Sequence, residues 1–241
     1  MADLIAARGQ MTIGELIEHF RVSGPTARRD LEVLARAGLA TRIHGGVMAP
    51  GRGGSVEPLF MEKLRVHQGA KGRLGAAAAR RVADGQTVLI DSGTTTLAAA
   101  RALAGRPVRI VASDVKVAEI AASGETRVSL LGGEVRNGYF SLVGAWALLA
   151  LKDLRCDVFL MGADAIDADG ISNSTAEEAE VKRAGMACAA RTILLADHSK
   201  LDARAAEPVC DLAAVDLFLT DRKAAPRLGP YRSLFRAIEL H

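Results

Sequence analysis

The pattern of hydrophobic and polar positions divides the chain into two parts, joined by a short segment rich in Gly and Pro. After this segment, short apolar runs alternate with stretches whose apolar residues recur at helical spacing. Several runs are continuously hydrophobic, as strands buried on both faces are, so the alternation predicts a mainly parallel sheet covered by helices. We expect strands at 87–90, 108–111, 128–131, 158–161, 193–196 and 217–219. We expect helices at 97–103, 115–121, 145–151 and 176–189, and one longer helix over 59–82.

The N-terminal part has a helical pattern with well-marked helix starts. Thr12 and Glu15 form the sequence pattern of a capping box, which predicts a short helix. After a turn, Ser23 is a suitable N-cap for a second helix that directs Ala27 and Leu31 to one face. Residues 39–47 contain a Gly pair between apolar positions and predict a hairpin. Together these elements are those of a winged helix-turn-helix.

Positive charge is concentrated in the N-terminal part. The whole chain has a net charge of +3, whereas residues 21–52 alone hold six Arg against two acidic residues, a net charge of +4. A local basic patch is typical of a protein that binds the phosphate backbone of nucleic acid. Arg28 and Arg29 lie near the start of the second helix, where side chains of a recognition helix enter the major groove. The pattern alone leaves open a surface helix pair whose arginines are merely solvated.

Polar residues follow the predicted strands, and the most informative group comes after the first strand. Asp91-Ser92-Gly93-Thr94-Thr95-Thr96 is followed directly by a helix. Gly permits a tight turn, and hydroxyls together with the free N–H groups of a helix N-terminus form a cradle for phosphate. The alternative is an ordinary strand-to-helix turn. Lys182 and Lys200 supply positive charge, whereas Glu178 also fits a helix cap with Thr175 or a surface ion pair with Lys182.

Motifs in both parts resemble the DeoR family of bacterial regulators. Residues 23–31 match the family's Ser-x-x-Thr-x-Arg-Arg-Asp-Leu recognition helix, and residues 42–46 match its Arg-x-His-Gly-Gly wing. Motifs similar to the family's sensor domain stand at 91–95, 131–136, 142–144, 162–167, 178–183 and 195–200. The resemblance runs from residue 10 to residue 221 and implies a sensor fold similar to ribose-5-phosphate isomerase. It also implies a phosphorylated sugar effector, a homodimer or homotetramer, and usually repression.

Pattern and resemblance together name the candidate site residues. The expected contacts to double-stranded operator DNA are Thr12, Ser23, Gly24, Pro25, Thr26, Arg28, Arg29, Arg42 and His44. The expected contacts to the effector are Asp91, Gly93, Thr94, Thr95, Thr96, Ser113, Gly132, Arg136, Asp164, Glu178, Lys182 and Lys200. We expect no catalytic residue and no cofactor. We also expect no metal, since the three Cys form no CxxC pair and the five His have no metal-ligand spacing.

The fold class that follows is α/β with two domains. We expect a winged helix-turn-helix domain at residues 1–48, a linker at 49–56, and a three-layer sensor and oligomerisation domain with a mainly parallel sheet at 57–241. Because the first helix is short, we also expect either a native start upstream of Met1 or a loosely held N-terminal domain.

The function that follows is transcription regulation in the cytoplasm, with no membrane segment. We expect a repressor of a sugar-metabolism operon that a phosphorylated sugar releases from its operator. The other hypothesis is a sugar-phosphate isomerase-like enzyme, in which Asp91, Asp164, Glu178 and Lys182 supply acid and base groups.

Overall fold

The computed structural model of the chain describes residues 1–8, 10–36, 40–43, 46–48, 57–122 and 125–241. Its contacts divide the chain into two compact units, Met1–Val56 and Glu57–His241. The linker expected at 49–56 and the candidate residue His44 lie outside the described residues, and so does the side chain of Arg42. Among the described residues, no helix is both long and apolar enough to cross a membrane.

The first unit contains helices around a small antiparallel sheet. Its elements are α1 Ala2–Arg8, β1 Gln10–Thr12, α2 Ile13–Phe20, α3 Gly24–Arg36, β2 Thr41–Ile43 and β3 Gly46–Met48. The strands are ordered β1-β3-β2, so the predicted hairpin is confirmed by the β2–β3 pairing, while β1 was not predicted. Ile5, Met11, Leu16, Leu31 and Val47 form the buried core between helices and sheet. These elements make a winged helix-turn-helix.

The start of α2 is fixed by the capping box that the sequence predicts. Thr12 Oγ1 accepts a hydrogen bond from Glu15 N at 3.1 Å, and Glu15 Oε2 accepts one from Thr12 N at 2.6 Å. The N–H groups at a helix start have no partner within the helix, so this pair satisfies two of them. The cap also holds the pKa of Glu15 below its ordinary value, because the Thr12 backbone N–H and hydroxyl both bond to the carboxylate.

Replacing Thr12 with Ala removes the hydroxyl that caps α2. We expect the free energy of unfolding of the first unit to fall by about 0.5–2 kcal/mol, the usual cost of losing such a cap. Thr12→Ser keeps the hydroxyl and serves as the matched control. Chemical denaturation followed by a spectroscopic probe in the first unit measures both; equal stabilities of the two variants would contradict the structural role of Thr12.

The second unit is built on a seven-stranded parallel sheet of order β15-β14-β12-β9-β4-β5-β6. The strands of this sheet are β4 Thr87–Ile90, β5 Arg109–Ala112, β6 Arg127–Leu130, β9 Cys156–Met161, β12 Ala189–Leu195, β14 Leu217–Thr220 and β15 Ile238–Leu240. Its helices are α4 Phe60–Arg65, α5 Gln68–Ala79, α6 Thr94–Leu103, α7 Val115–Ala121, α8 Ala145–Lys152 and α9 Ala176–Cys188. Shorter strands form two antiparallel sheets, β7 Glu134–Val135 with β8 Leu142–Val143, and β10 Ala165–Asp167 with β11 Gly170–Asn173 and β13 Glu207–Cys210.

Helices cover both faces of the parallel sheet, as the sequence predicts. In β4, Val88 and Ile90 belong to one apolar cluster and Leu89 to another, because successive side chains of a strand point to opposite faces. The first cluster contains residues of α5, α6 and α7, such as Leu74 and Leu103. The second contains residues of α8 and α9, such as Leu151 and Val181. The result is a three-layer arrangement with an apolar core on each side of the sheet.

One predicted helix is wrong and several strands were not predicted. The helix expected over 59–82 is two helices, α4 and α5, separated at Val66 and His67. The backbone of His67 has φ 54°, in the left-handed region, and Val66 is extended, so the hydrogen-bonding of one continuous helix is interrupted. The sequence did not predict β7, β8, β10, β11, β13 and β15. Unlike β4 or β9, none of them contains three consecutive apolar residues.

Candidate functional site

Four of the candidate DNA-binding residues lie at the start of α3, Ser23 just before the helix and the other three in its first turn. Ser23 caps the helix: its hydroxyl accepts a hydrogen bond from Thr26 N at 3.3 Å and lies 2.8 Å from the Thr26 hydroxyl. Pro25 and Thr26 are exposed, and Gly24 is half-buried. A helix N-terminus with exposed small and polar residues is the end that a recognition helix directs towards base edges and phosphates.

The two faces of α3 have opposite character. Ala27 and Leu31 are buried, which confirms the inward-facing stripe that the sequence predicts. Arg28 and Arg29 are exposed. The helix therefore combines an apolar face fixed in the small core with guanidinium groups free to meet phosphates or guanine edges.

In the second unit, a cavity of about 350 Å³ lies at the carboxyl ends of β4, β9 and β12. Three loops that follow these strands line it, together with α4, α5, Tyr139 and α9. Ligand crevices of open parallel sheets lie at this edge, where loops and helix starts converge. Of the candidate effector residues, the cavity lining contains Gly93, Thr94, Thr95, Thr96, Asp164, Glu178, Lys182 and Lys200.

The turn between β4 and α6 presents a helix start to this cavity. Gly93 precedes α6 with φ 140°, a conformation that side chains rarely adopt, and no side chain caps the helix. The Thr96 hydroxyl donates to the Gly93 carbonyl at 2.8 Å, so that hydroxyl serves the turn. Thr94 and Thr95, at the first two positions of α6, also line the cavity. An uncapped helix start of this kind favours an anion, since its N–H groups lack partners and the helix dipole is positive there.

A buried ion pair lies beneath the cavity. Lys182 on α9 bonds to the Asp91 carboxylate and donates to the Gly162 carbonyl at 3.1 Å, and Gly162 N donates to Asp91 at 2.9 Å. Lys182 and Asp91 are each only 3% exposed, so the surface ion pair between Glu178 and Lys182 is not what forms. Although burial opposes the charge, Asp91 holds the pKa of Lys182 above its ordinary value. Lys182 therefore fixes the β4 and β9 loops to α9.

Glu178 is held at the cavity by three donors. It bonds to the Arg136 guanidinium, and it accepts hydrogen bonds from Ser141 Oγ at 2.6 Å and from Asn173 Nδ2 at 2.6 Å. The predicted capping box with Thr175 is wrong: Thr175 makes no cap bond, and its buried hydroxyl has no partner among the described residues. The carboxylate turns inwards because Arg136 and these hydrogen bonds outweigh the cost of its burial.

A second charged group connects the chain segment before α4 to the same cavity. Glu57 bonds to Lys63 Nζ at 2.7 Å and to Arg136 Nη2 at 2.9 Å, and Lys63 also bonds to Asp164 at 2.9 Å. Asp164 further accepts hydrogen bonds from Ser174 N and Oγ. Burial opposes the charges of this group, but the lysine and the carboxylates hold the pKa of Lys63 above its ordinary value and that of Asp164 below it.

The carboxylates of this group are close enough together for a metal site, but all of them already form ion pairs with side chains. Oxygens of Glu57, Asp164 and Glu178 lie within 4.8 Å of one another. Each of the three already forms an ion pair with Lys63 or Arg136. A divalent cation takes free carboxylates, so the donor set fits side-chain cations rather than a metal.

Two further lysines line the cavity with no carboxylate at ion-pair distance in the described part of the chain, and both differ from Lys63 in this respect. Lys71 on α5 is 6% exposed and donates to the Lys63 carbonyl. Burial lowers the pKa of Lys71 to about 8. Burial and the charge of Lys63 also lower the pKa of Lys200. An anion that entered the cavity would restore the favourable environment of both ammonium groups.

The remaining candidate residues lie elsewhere. Ser113 follows β5 and is buried, with its hydroxyl 3.4 Å from the Ile90 carbonyl. Gly132 follows the edge strand β6 and is exposed. Neither lines the cavity, because that lining comes from the ends of β4, β9 and β12. Arg136 reaches the cavity only through its bonds to Glu57 and Glu178.

Residues not singled out from the sequence complete the site. Glu57 lies in the segment before α4, Lys63 lies on α4 and Lys71 on α5, all before β4. Tyr139 and Asn173 come from later parts of the chain. Lys63 and Lys71 lie on either side of the break at His67. Because the sequence predicted one continuous helix over 59–82, these two lysines were not recognised as site residues.

A winged helix-turn-helix joined to an α/β unit with an anion-favouring cavity defines a class: transcription regulators that respond to a small ligand. Two family models match the chain, the DeoR-like helix-turn-helix domain over residues 1–52 and the DeoR C terminal sensor domain over residues 66–222. The chain belongs to the DeoR family.

Several curated relatives are named as repressors. The glycerol-3-phosphate regulon repressor of Escherichia coli is 32% identical over 222 residues, 91% of this chain and 87% of that protein. The transcriptional repressor CsqR of Escherichia coli is 36% identical over 90% of this chain and 84% of that protein. The lactose phosphotransferase system repressor of Lactococcus lactis is 30% identical over 93% of this chain and 90% of that protein. Ribose 5-phosphate isomerase A of Neisseria gonorrhoeae matches with TM-score 0.41 and 19% identity over 56% of this chain and 53% of that one.

Proposed function

We propose that this protein represses a sugar-metabolism operon and leaves its operator when a phosphorylated sugar binds in the cavity. The observation that carries the proposal is that the uncapped start of α6, Lys71 and Lys200 all line one cavity. A phosphate there meets backbone N–H groups and two ammonium groups, while the neighbouring carboxylates accept hydrogen bonds from sugar hydroxyls. The winged helix-turn-helix of the same chain supplies the DNA contact.

Linkage between the two ligands tests this proposal. A DNA duplex selected from a random pool by the protein is titrated with a panel of sugar phosphates, with the matching unphosphorylated sugars as controls. We expect at least one phosphorylated compound to weaken DNA binding while its unphosphorylated counterpart does not, because an effector acts only through a difference in affinity for the two forms. Phosphorylated ligands that bind the protein and leave DNA affinity unchanged would refute the repressor mechanism.

The lysines of the cavity predict how effector affinity depends on pH. Glycerol 3-phosphate serves as a simple phosphomonoester, whose second pKa of about 6 leaves it a dianion above neutral pH. Because burial lowers the pKa of Lys71 to about 8, Lys71 is protonated below that pH and loses its charge above it. We expect affinity to be highest below pH 8 and to fall as the pH rises through that value. Calorimetric titration measures this profile, and a Lys71→Gln profile of the same steepness would contradict it.

We further propose that the chain is not an isomerase. In support of this, Asp91, Asp164 and Glu178 each bond to a cationic side chain, whereas a general base must be free to accept a proton from the substrate. An assay for aldose–ketose interconversion with pentose and hexose phosphates decides the matter. Turnover well above background would reverse the assignment.

We also propose that the protein acts in the cytoplasm as a homodimer or homotetramer, since helix-turn-helix proteins read paired half-sites as symmetric oligomers. Support comes from an apolar surface around α8 and the edge strand β6, where Trp146 is 75% exposed and Leu149 63% exposed. Light scattering of the purified protein measures its mass, and a monomer at micromolar concentration would contradict the oligomer.

A further inference from the structure

Glu57 is the first residue of the second unit and directly follows the segment 49–56. Its carboxylate is nonetheless part of the cavity wall, bonded to Lys63 at 2.7 Å and to Arg136 at 2.9 Å. The chain that connects the two units therefore begins inside the proposed effector site.

The partners of Glu57 distinguish it from the other carboxylates at the cavity. Asp91 also accepts from Gly162 N, Asp164 from Ser174, and Glu178 from Ser141 and Asn173, so each keeps a neutral donor. The carboxylate of Glu57 bonds, among the described residues, only to the two cations. An anion that competes for those cations would leave Glu57 with no donor, while the other three carboxylates would remain held.

The charges around Glu57 favour such an exchange. Its oxygens lie within 4.8 Å of carboxylate oxygens of Asp164 and Glu178, and burial together with these two negative charges raises the pKa of Glu57 despite Lys63. A dianion arriving beside three carboxylates meets strong repulsion unless one of them leaves. Glu57 is the one at the start of its unit, before α4.

We propose that Glu57 acts as an internal competitor of the effector: a phosphorylated ligand takes over its cations and releases residues 57–59, the stretch between the linker and α4. This inference rests on the proposed effector site. The segment is also held by Tyr139 Oη, which donates to the Glu57 carbonyl at 2.8 Å, and by Leu59 N, which donates to Glu62 Oε2 at 3.0 Å. Phe60 begins α4, where its amide donates to the Gly138 carbonyl at 3.1 Å and its side chain is buried in the apolar core. Release of Glu57 therefore loosens the chain up to the start of α4, and the Phe60 amide, the first of that helix, reports on it.

Hydrogen exchange of the full-length protein with and without inorganic phosphate, at ionic strength matched with chloride, tests the exchange. We expect phosphate to slow exchange at the start of α6, Thr94 and Thr95, and to accelerate it at Phe60. A bound ligand ordinarily slows hydrogen exchange. Faster exchange at the Phe60 amide would therefore indicate that phosphate releases the segment and does not only bind. Slowing at α6 with unchanged or slower exchange at Phe60 would overturn the competition and leave the effector site intact. No change at either place, with no phosphate binding, would remove the effector site and the competition together.

Variants of Glu57 give an independent measurement. In Glu57→Gln we expect fast exchange at Phe60 without phosphate, and phosphate affinity higher by about fivefold or more, the low end of common coupling between sites. Glu180→Gln removes the same charge from an exposed position on α9 that does not line the cavity, and serves as the control. Weaker phosphate binding by Glu57→Gln would make Glu57 a ligand of the effector and overturn its role as a competitor.

Discussion

Replacing Lys182 with Met is expected to lower the free energy of unfolding of the second unit by about 3–5 kcal/mol, the cost of leaving a buried charge without its partner. Asp91 is 3% exposed and would retain only the hydrogen bond from Gly162 N. Met matches the length of the Lys stem, so the loss reflects charge more than packing. The carboxylate would relieve its isolation by taking up a proton, because burial already raises the pKa of Asp91.

The direction of the pH dependence identifies this cause. In the Lys182→Met protein, Asp91 titrates at a higher pH when folded than when unfolded, so the folded state binds more protons over the interval between the two values. Stability then falls as the pH rises through that interval, and the variant is more stable near pH 5 than near pH 8. Asp91→Asn in the Lys182→Met background removes the charge and should restore most of the loss.

Lys116→Met provides the matched control, since it breaks an exposed pair with Glu119 whose side chains are 38% and 66% exposed. Such surface pairs contribute at most about 1 kcal/mol. Denaturant titrations of the three variants measure the difference. If Lys182→Met lowered the free energy of unfolding no more than Lys116→Met, the buried ion pair would not stabilise the cavity as its geometry indicates.

The parallel sheet was predictable because its strands carry their own signal. Continuous apolar runs such as 158–161 are typical of strands that are buried on both faces of a sheet. Gly93, just after β4, indicates the turn that follows that strand. Ser113 and Gly132 were predicted as site residues because they also follow strands, and ligand sites of parallel sheets lie at strand ends. The rule fails for them because strand order is a tertiary property: β6 is an edge strand, and the cavity lies over β4, β9 and β12.

The charged network of the cavity was less predictable from sequence. Glu178 was assigned alternative partners on its own helix, Thr175 and Lys182, because local spacing is all that a sequence displays. Its partners in the fold are Arg136, Ser141 and Asn173, and burial makes those contacts decisive. Long-range ion pairs leave no periodic trace, so Glu57 could not have been found by pattern.

Replacing both Arg28 and Arg29 with Ala is expected to weaken binding to the selected duplex by about 30-fold or more, since a bidentate Arg–guanine contact contributes about 1–3 kcal/mol. Both guanidinium groups are exposed on α3, while the buried Ala27 and Leu31 are untouched, so the fold should be retained. Loss of phosphate contacts should also reduce the steepness with which affinity falls with salt, by about one per contact removed. Fluorescence anisotropy across a salt series measures both quantities.

The control must remove equal charge from a surface that does not face DNA. Arg101 and Arg232 are both exposed in the second unit, so their double replacement by Ala lowers the net charge by the same amount. If general electrostatic attraction governed binding, the two double variants would lose affinity alike. A much larger loss from α3 assigns recognition to that helix, because only groups in contact with bases or phosphates change both affinity and salt dependence. Equal losses would remove Arg28 and Arg29 from the DNA interface and leave the wing as the other basic element.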